Sequence, residues 1–200
     1  MKKLTLTAVA LTSATLFLGA CSSDMGGMDM GPTNTDSSNT DVSIPDSADF
    51  NDADVMFSQH MIPHHEQAIE MSDIALDPST GASAAIIELA TQIQGAQDPE
   101  IAQMKALLTA WGKSMEMGPM DSSSMMDGML TLEDLDALGQ LKGADFDAAW
   151  AKAMIAHHEG AITMANDVLA DGKNSEILAL ANAVISGQTA EIEILKPLAG

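Results

Sequence analysis

Between residues 52 and 197 the apolar positions recur at intervals of three and four, and nowhere alternate with period two for long. Runs of β-branched residues are also missing. The pattern predicts an all-α fold. A first helix is expected near 52–76, stopped by Asp77-Pro78, and a second near 82–113. Pro99 should kink or interrupt the second, because a proline inside a helix removes one backbone hydrogen bond. A third helix is expected near 145–171, ended by Asp171-Gly172, and a fourth near 174–197. Short links within each pair favour antiparallel hairpins, hence a four-helix bundle at 51–200. The pairs are joined by 114–144. There, Thr131-Leu-Glu-Asp reads as the capped start of a short helix ending near Gly139. Such a connector can cross from one end of a bundle to the other.

The two pairs are copies. Asp54-Val-Met-Phe57-Ser-Gln-His60-Met61-Ile-Pro-His64-His65-Glu66-Gln-Ala68-Ile69-Glu-Met71 returns 93 residues later. The second copy is Asp147-Ala-Ala-Trp150-Ala-Lys-Ala-Met154-Ile-Ala-His157-His158-Glu159-Gly-Ala161-Ile162-Thr-Met164. Gln97-Asp-Pro-Glu100-Ile101 likewise returns as Gln188-Thr-Ala-Glu191-Ile192, now 91 residues on.

At about 100° per residue, Asp54, Phe57, Met61, His64, His65, Ala68 and Met71 share one helix face. Asp147, Trp150, Met154, His157, His158, Ala161 and Met164 repeat it. Glu66 and Glu159 point elsewhere, and His60 sits at the edge, where its counterpart is Ala153. Imidazole and thioether together make a soft donor set, suited to Cu(I) or Ag(I). The candidate metal ligands are therefore Met61, His64, His65, Met154, His157 and His158, with Asp54, His60, Met71, Asp147 and Met164 as auxiliary residues. Plainer readings stand beside this one. Methionine at helical spacing commonly fills cores, and a histidine on an apolar face is commonly a hydrogen-bonded core residue. Asp54 and Asp147 read either as charges favoured at a helix start or as carboxylates orienting an imidazole.

Composition changes the picture in three ways. Against 29 Asp and Glu stand 8 Lys, no Arg, and a net charge of −21. Such an anion repels phosphate backbones, which excludes nucleic acid as a partner. Cys21 is alone, so neither an intrachain disulfide nor a Cys-built zinc site is available. Of the 16 Met, nine lie at 25–30 or 115–129, in segments too polar to form a core. Met-x-Met and Met-x-x-Met spacings there bring thioethers within reach of one ion. Drift of composition in a polar linker is the plain alternative.

The N-terminus carries an address. Met1-Lys2-Lys3 precedes an apolar stretch of about 15 residues, too short for a comfortable membrane span. Leu18-Gly19-Ala20-Cys21 resembles a bacterial lipobox. The resemblance implies a signal at 1–20, lipidation of Cys21, and an anchored protein in the cell envelope outside the cytoplasm. An ordinary signal peptide with a nearby free Cys is the alternative. Residues 21–50, rich in Ser, Asp, Asn, Thr and Gly with Met, read as a disordered tether.

The doubled Met-Ile-x-His-His-Glu-x-Ala-Ile core at 61–69 and 154–162, with the Gln-x-x-Glu-Ile stretches, resembles the bacterial family called domain of unknown function 305. The likeness covers about 50–198. It implies a ferritin-like four-helix bundle, export, and in some members binding of copper or silver through the six His and Met positions named above. Two departures count against a fully symmetric site: Ala153 stands against His60, and Leu195 against Met104.

The leading expectation is a lipid-anchored copper(I)/silver(I) chaperone, scavenger or tolerance factor, without turnover and without catalytic residues. A structural or interaction module with core histidines is one alternative, its protein partner unidentified. A redox metalloenzyme of the ferritin-like type is another. Its di-iron form wants Glu-x-x-His on two helices, and no Glu-x-x-His occurs in the chain.

Overall fold

A computed structural model describes residues 49–116 and 127–200. The signal at 1–20, Cys21, nearly all of the 21–50 tether and the centre of the Met-rich connector lie outside those residues. The described chain forms α1 (Asp52–Leu76), α2 (Ala84–Ala110), α3 (Leu132–Gln140), α4 (Gly143–Asp171) and α5 (Ser175–Leu195). A single 3-10 turn, Pro78–Thr80, links α1 to α2. The all-α, four-helix expectation is the arrangement found. Among the described residues no helix is long and apolar enough to cross a membrane.

Local chemistry starts and stops these helices. Asn51 accepts the Ala53 and Asp54 amides while Asp54 accepts the Asn51 amide, a reciprocal cap on α1. Thr131 and Asp134 do the same for α3, and Asn174 caps α5. The interruption expected at Pro99 does not occur. Helix α2 runs through it, as α1 runs through Pro63. Each proline forfeits one backbone bond, but buried neighbours on both sides, such as Ile93 and Ile101, hold the helix in place.

Helices α1 and α2 pack as one hairpin, α4 and α5 as another, and α1 lies against α4. Two apolar cores result. One joins the first half of α1 (Val55, Phe57, Met61, Ile62) to the second halves of α2 and α4 and the start of α5. The other joins the second half of α1 (Ala68, Met71, Ala75) to the starts of α2 and α4, to Leu195, and to α3 through Leu135 and Leu138. On both α1 and α4 the histidine pair falls between the two cores.

Two repeated carboxylates lock the hairpins together. Asp54, fully buried, accepts the backbone amides of Lys173 and Asn174, in the link of the other hairpin. Its repeat counterpart Asp147 accepts the Ser83 amide, just before α2. Each copy thus grips the link of its partner. Of the two readings for this pair, Asp54 is the helix-start charge, with an added clamping task. Neither carboxylate bonds to an imidazole among the described residues.

Candidate metal centre

The two Met-x-x-His-His runs place their imidazoles in one layer at mid-bundle, because antiparallel α1 and α4 cross there. His64, His65, His157 and His158 are fully buried. His64 and His157 meet across the hairpin interface, with ring centroids 3.8 Å apart and planes tilted by 37°. The outer pair turns back toward its own hairpin. His65 Nε2 lies 2.8 Å from Glu100 Oε2, and His158 Nε2 lies 2.7 Å from Glu191 Oε2. The first contact has hydrogen-bond geometry; the second is a close approach off the angle of a hydrogen bond.

These contacts decide which nitrogens are free. A carbonyl or an ionised carboxylate only accepts. His64 Nε2 therefore donates, at 3.4 Å, to the Asp127 carbonyl, and His65 Nε2 donates to Glu100. In the neutral His64 ring Nδ1 then keeps its lone pair. The Nδ1 atoms of all four histidines are buried without a partner, as is Nε2 of His157. Burial is the largest cause of a shift that lowers the His64 pKa to about 3, with a further lowering from His65. Burial followed by His64 holds His157 well below the ordinary imidazole range. A charged ring is disfavoured in such surroundings. Both rings stay neutral at pH 7, which is the state that binds metals.

Gln97 and Gln188 extend the layer. Both are buried, with side-chain amide atoms left unpartnered. A cavity of about 30 Å³ opens beside them between α2 and α5, bordered by Glu100 and Glu191. It is large enough for a water or a small ion. The two carboxylates keep partial contact with solvent, so they stand between bulk water and the outer imidazoles.

The connector closes the other side. Gln67 binds the Leu130 backbone twice, donating to its carbonyl and accepting from its amide. At the repeat counterpart of Gln67 stands Gly160. A Cβ there would lie 1.8 Å from the Asp127 carbonyl oxygen. The strand of chain at 127–130 is thus pinned by Gln67 and admitted by Gly160, and its Asp127 carbonyl reaches His64.

The six expected ligands are not one cluster. The four imidazoles come together. Met61 and Met104 belong to one core, Met154 and Met71 to the other. The thioethers therefore lie on opposite sides of the histidine layer, each one turn from a His pair. Met71 and Asp147 are outside the layer, Asp54 is occupied by the clamp, and His60 and Met164 line a surface groove. Among the described residues no three His, Cys, Asp or Glu side chains converge on one point. The donor set suits an ion satisfied by few nitrogen and sulfur ligands better than a hard ion that demands oxygens. Glu66 is on the surface, paired with Lys105 at 2.7 Å, and Glu159 is exposed.

Sequence reasoning missed Glu100, Glu191, Gln97, Gln188, Gln67, Gly160 and Asp127 as site residues. The repeated Gln-x-x-Glu was visible, and its recurrence beside a repeated His pair was the available signal. The Asp127 contact had no signal in the sequence, because it depends on the path of the connector.

The family model described as Domain of unknown function (DUF305) matches residues 54–199. No curated protein matches the chain by sequence. Among solved structures, a DUF305 fragment from Deinococcus radiodurans is 27% identical, with a TM-score of 0.67, covering 75% of this chain and 97% of its own. A DUF305 protein from Streptomyces coelicolor, whose name describes it as secreted, is 28% identical with a TM-score of 0.67, covering 73% and 89%. CopM in a Cu(II)-bound form is 30% identical with a TM-score of 0.63, covering 73% and 95%. Its Cu(I)-bound form, also 30% identical, has a TM-score of 0.59 over 72% and 93%.

Proposed function

The chain belongs to the DUF305 family, and from that premise we propose that it binds copper(I) or silver(I) as cargo, without turnover, in the layer of His64, His65, His157 and His158. The observation that carries this reading is the set of buried imidazole nitrogens without partners. Buried polar atoms are ordinarily hydrogen-bonded, and orphaned donors cost stability. A bound soft cation uses the free lone pairs that packing leaves idle. Glu100 holds the His65 ring by a hydrogen bond, as carboxylates commonly do for metal-ligating histidines, and Glu191 stands at the equivalent place beside His158. Met61 and Met154 supply thioethers from either side. CopM, structurally similar to this chain, was solved with Cu(I), Cu(II) and Ag, which supports the cargo class. The rival reading of ordinary core histidines fits the layer poorly, since most of its ring nitrogens go unsatisfied.

The lipobox-like Leu18-Gly19-Ala20-Cys21 places this binding outside the cytoplasm on a membrane anchor. Chaperone, scavenger and tolerance roles all follow from reversible binding at that address. Cys21→Ala should move the protein from the membrane fraction to the soluble envelope or medium.

Anaerobic titration with Cu(I), followed by the histidine ring NMR signals, tests the binding. Saturable shifts of His64 and His157, lost in His64→Asn/His157→Asn that remains helical by circular dichroism, are expected. Ring signals indifferent to Cu(I) would overturn the proposal.

A further inference from the structure

The repeat predicts two equivalent grooves along the seam between α1 and α4, one on either side of the histidine layer. Among the described residues only one is covered. On that side α3 seats Leu135 and Leu138 on the core, and Ile74, Ala149 and Ala153 lie half-buried against the same core. The other side has no such helix among the described residues. It remains a groove of about 270 Å³, lined by Ala53, Met56, Phe57 and His60 from α1 and by Met164, Asp167, Val168 and Asp171 from α4.

The substitutions between the two sides are chemical, not random. Repeat alignment sets Met56 against Ala149, His60 against Ala153, and Asp167 against Ile74. Where α3 covers the seam, these positions are apolar. Where the seam is open, they are a thioether, an imidazole and a carboxylate. Met164 adds a second thioether; its counterpart Met71 is fully buried. Met56 is 56% exposed, so core packing does not account for it. The His60 ring has no hydrogen-bond partner among the described residues and borders the groove.

We propose that this open groove is a second soft-cation site, with Met56, His60 and Met164 as ligands for Ag(I) or Cu(I). Met56 and His60 stand four residues apart and so share a helix face, a spacing that lets one helix offer two ligands to one ion. Met164 faces them from α4. Asp167 and Asp171 raise the local cation concentration without adding enough oxygens to hold a hard ion. The site is separate from the histidine layer and sits at the surface, where an ion arrives without opening the bundle.

The test is an Ag(I) titration of the full-length chain, with methionine methyl groups and histidine rings observed by NMR. The Met56 and Met164 methyl signals and the His60 ring signal should shift together along one saturation curve. Met56→Leu/His60→Ala/Met164→Leu should bind one Ag(I) equivalent fewer while the His64 and His157 shifts persist. Excess Mg(II) should leave all three groove signals in place. Groove signals unmoved by Ag(I), or an unchanged stoichiometry in the triple variant, overturn this site. Failure of the layer reading looks different: there the His64 and His157 signals stay still while the groove signals move.

Discussion

The two lengths of the α1–α4 seam, one on either side of the histidine layer, repeat one pattern and have opposite fates. On one side Trp150 is fully buried, donates its indole N–H to the Met71 carbonyl at 2.9 Å, and shares a core with α3. On the other, its counterpart Phe57 is buried but forms the floor of an open groove. A short helix in the connector makes the difference. Where a helix covers the seam, its lining must be apolar, or polar groups would be buried without partners. Where the seam is open, polar and soft groups are tolerated and free to bind. A duplicated scaffold thus keeps one flank for stability and leaves the other for chemistry, with the histidine layer shared between them.

The strongest challenge to this contrast is truncation of the two aromatic counterparts. Trp150→Ala should cost about 4 kcal/mol and Phe57→Ala about 3 kcal/mol, measured by urea unfolding. An equal or larger loss at Phe57 would show that α3 adds little to its side.

Acid should act next, on the shared layer. His64 has a folded pKa near 3 against an ordinary 6.5. The unfolded chain therefore binds the extra proton first, and stability present above pH 6.5 is lost as the pH falls toward 3. At about pH 4 the loss from His64 alone is on the order of 3 kcal/mol, and His157 shifts in the same direction. Unfolding midpoints compared at neutral and acid pH read this directly. An apo protein equally stable at both would refute the neutral, buried layer.

The clamps offer a smaller, paired comparison. Asp54→Ala removes a buried acceptor shared by the Asn51, Lys173 and Asn174 amides and should cost about 2–3 kcal/mol. Asp147→Ala removes one hydrogen bond from a half-exposed carboxylate and should cost under about 1 kcal/mol. Gly160→Ala should cost about 2 kcal/mol, because the new methyl must push the Asp127 backbone aside. It should also shift the His64 ring signal, whose Nε2 partner is that carbonyl. Least affected should be Met56→Ala, within about 0.5 kcal/mol, since the side chain is mostly exposed.

Much of this molecule is legible in its residues. The helix-period pattern, Asp77-Pro78 and Asp171-Gly172 bound the long helices to within a few residues of where they lie. Thr131 and Asp134 announce α3. The doubled Met-x-x-His-His marks the layer, since it puts two imidazoles on the inward face of each of α1 and α4. The six-ligand grouping was less secure. Periodicity puts Met61 and His64 on one face of α1 and Met154 and His157 on one face of α4, but it cannot say how two faces slide past each other. The antiparallel crossing aligns the histidines and carries Met61 and Met154 to opposite ends of the layer. At Pro99 the expected interruption does not occur for a related reason: one lost backbone bond is outweighed by the packing on both sides.

The sequence by itself determined the all-α class, the repeat, the acidic character and the soft donor set of the repeated face, because these depend on residue type and helical period alone. Tertiary structure decided which imidazole nitrogens are free, that Glu100 bonds the His65 ring while Glu191 approaches that of His158, and that, among the described residues, one part of the seam is covered and the other open. Those outcomes depend on contacts between residues far apart in the chain, such as the 35 positions between His65 and Glu100 and the 63 between His64 and Asp127, and on the path of a connector whose local pattern carries no record of where it will lie.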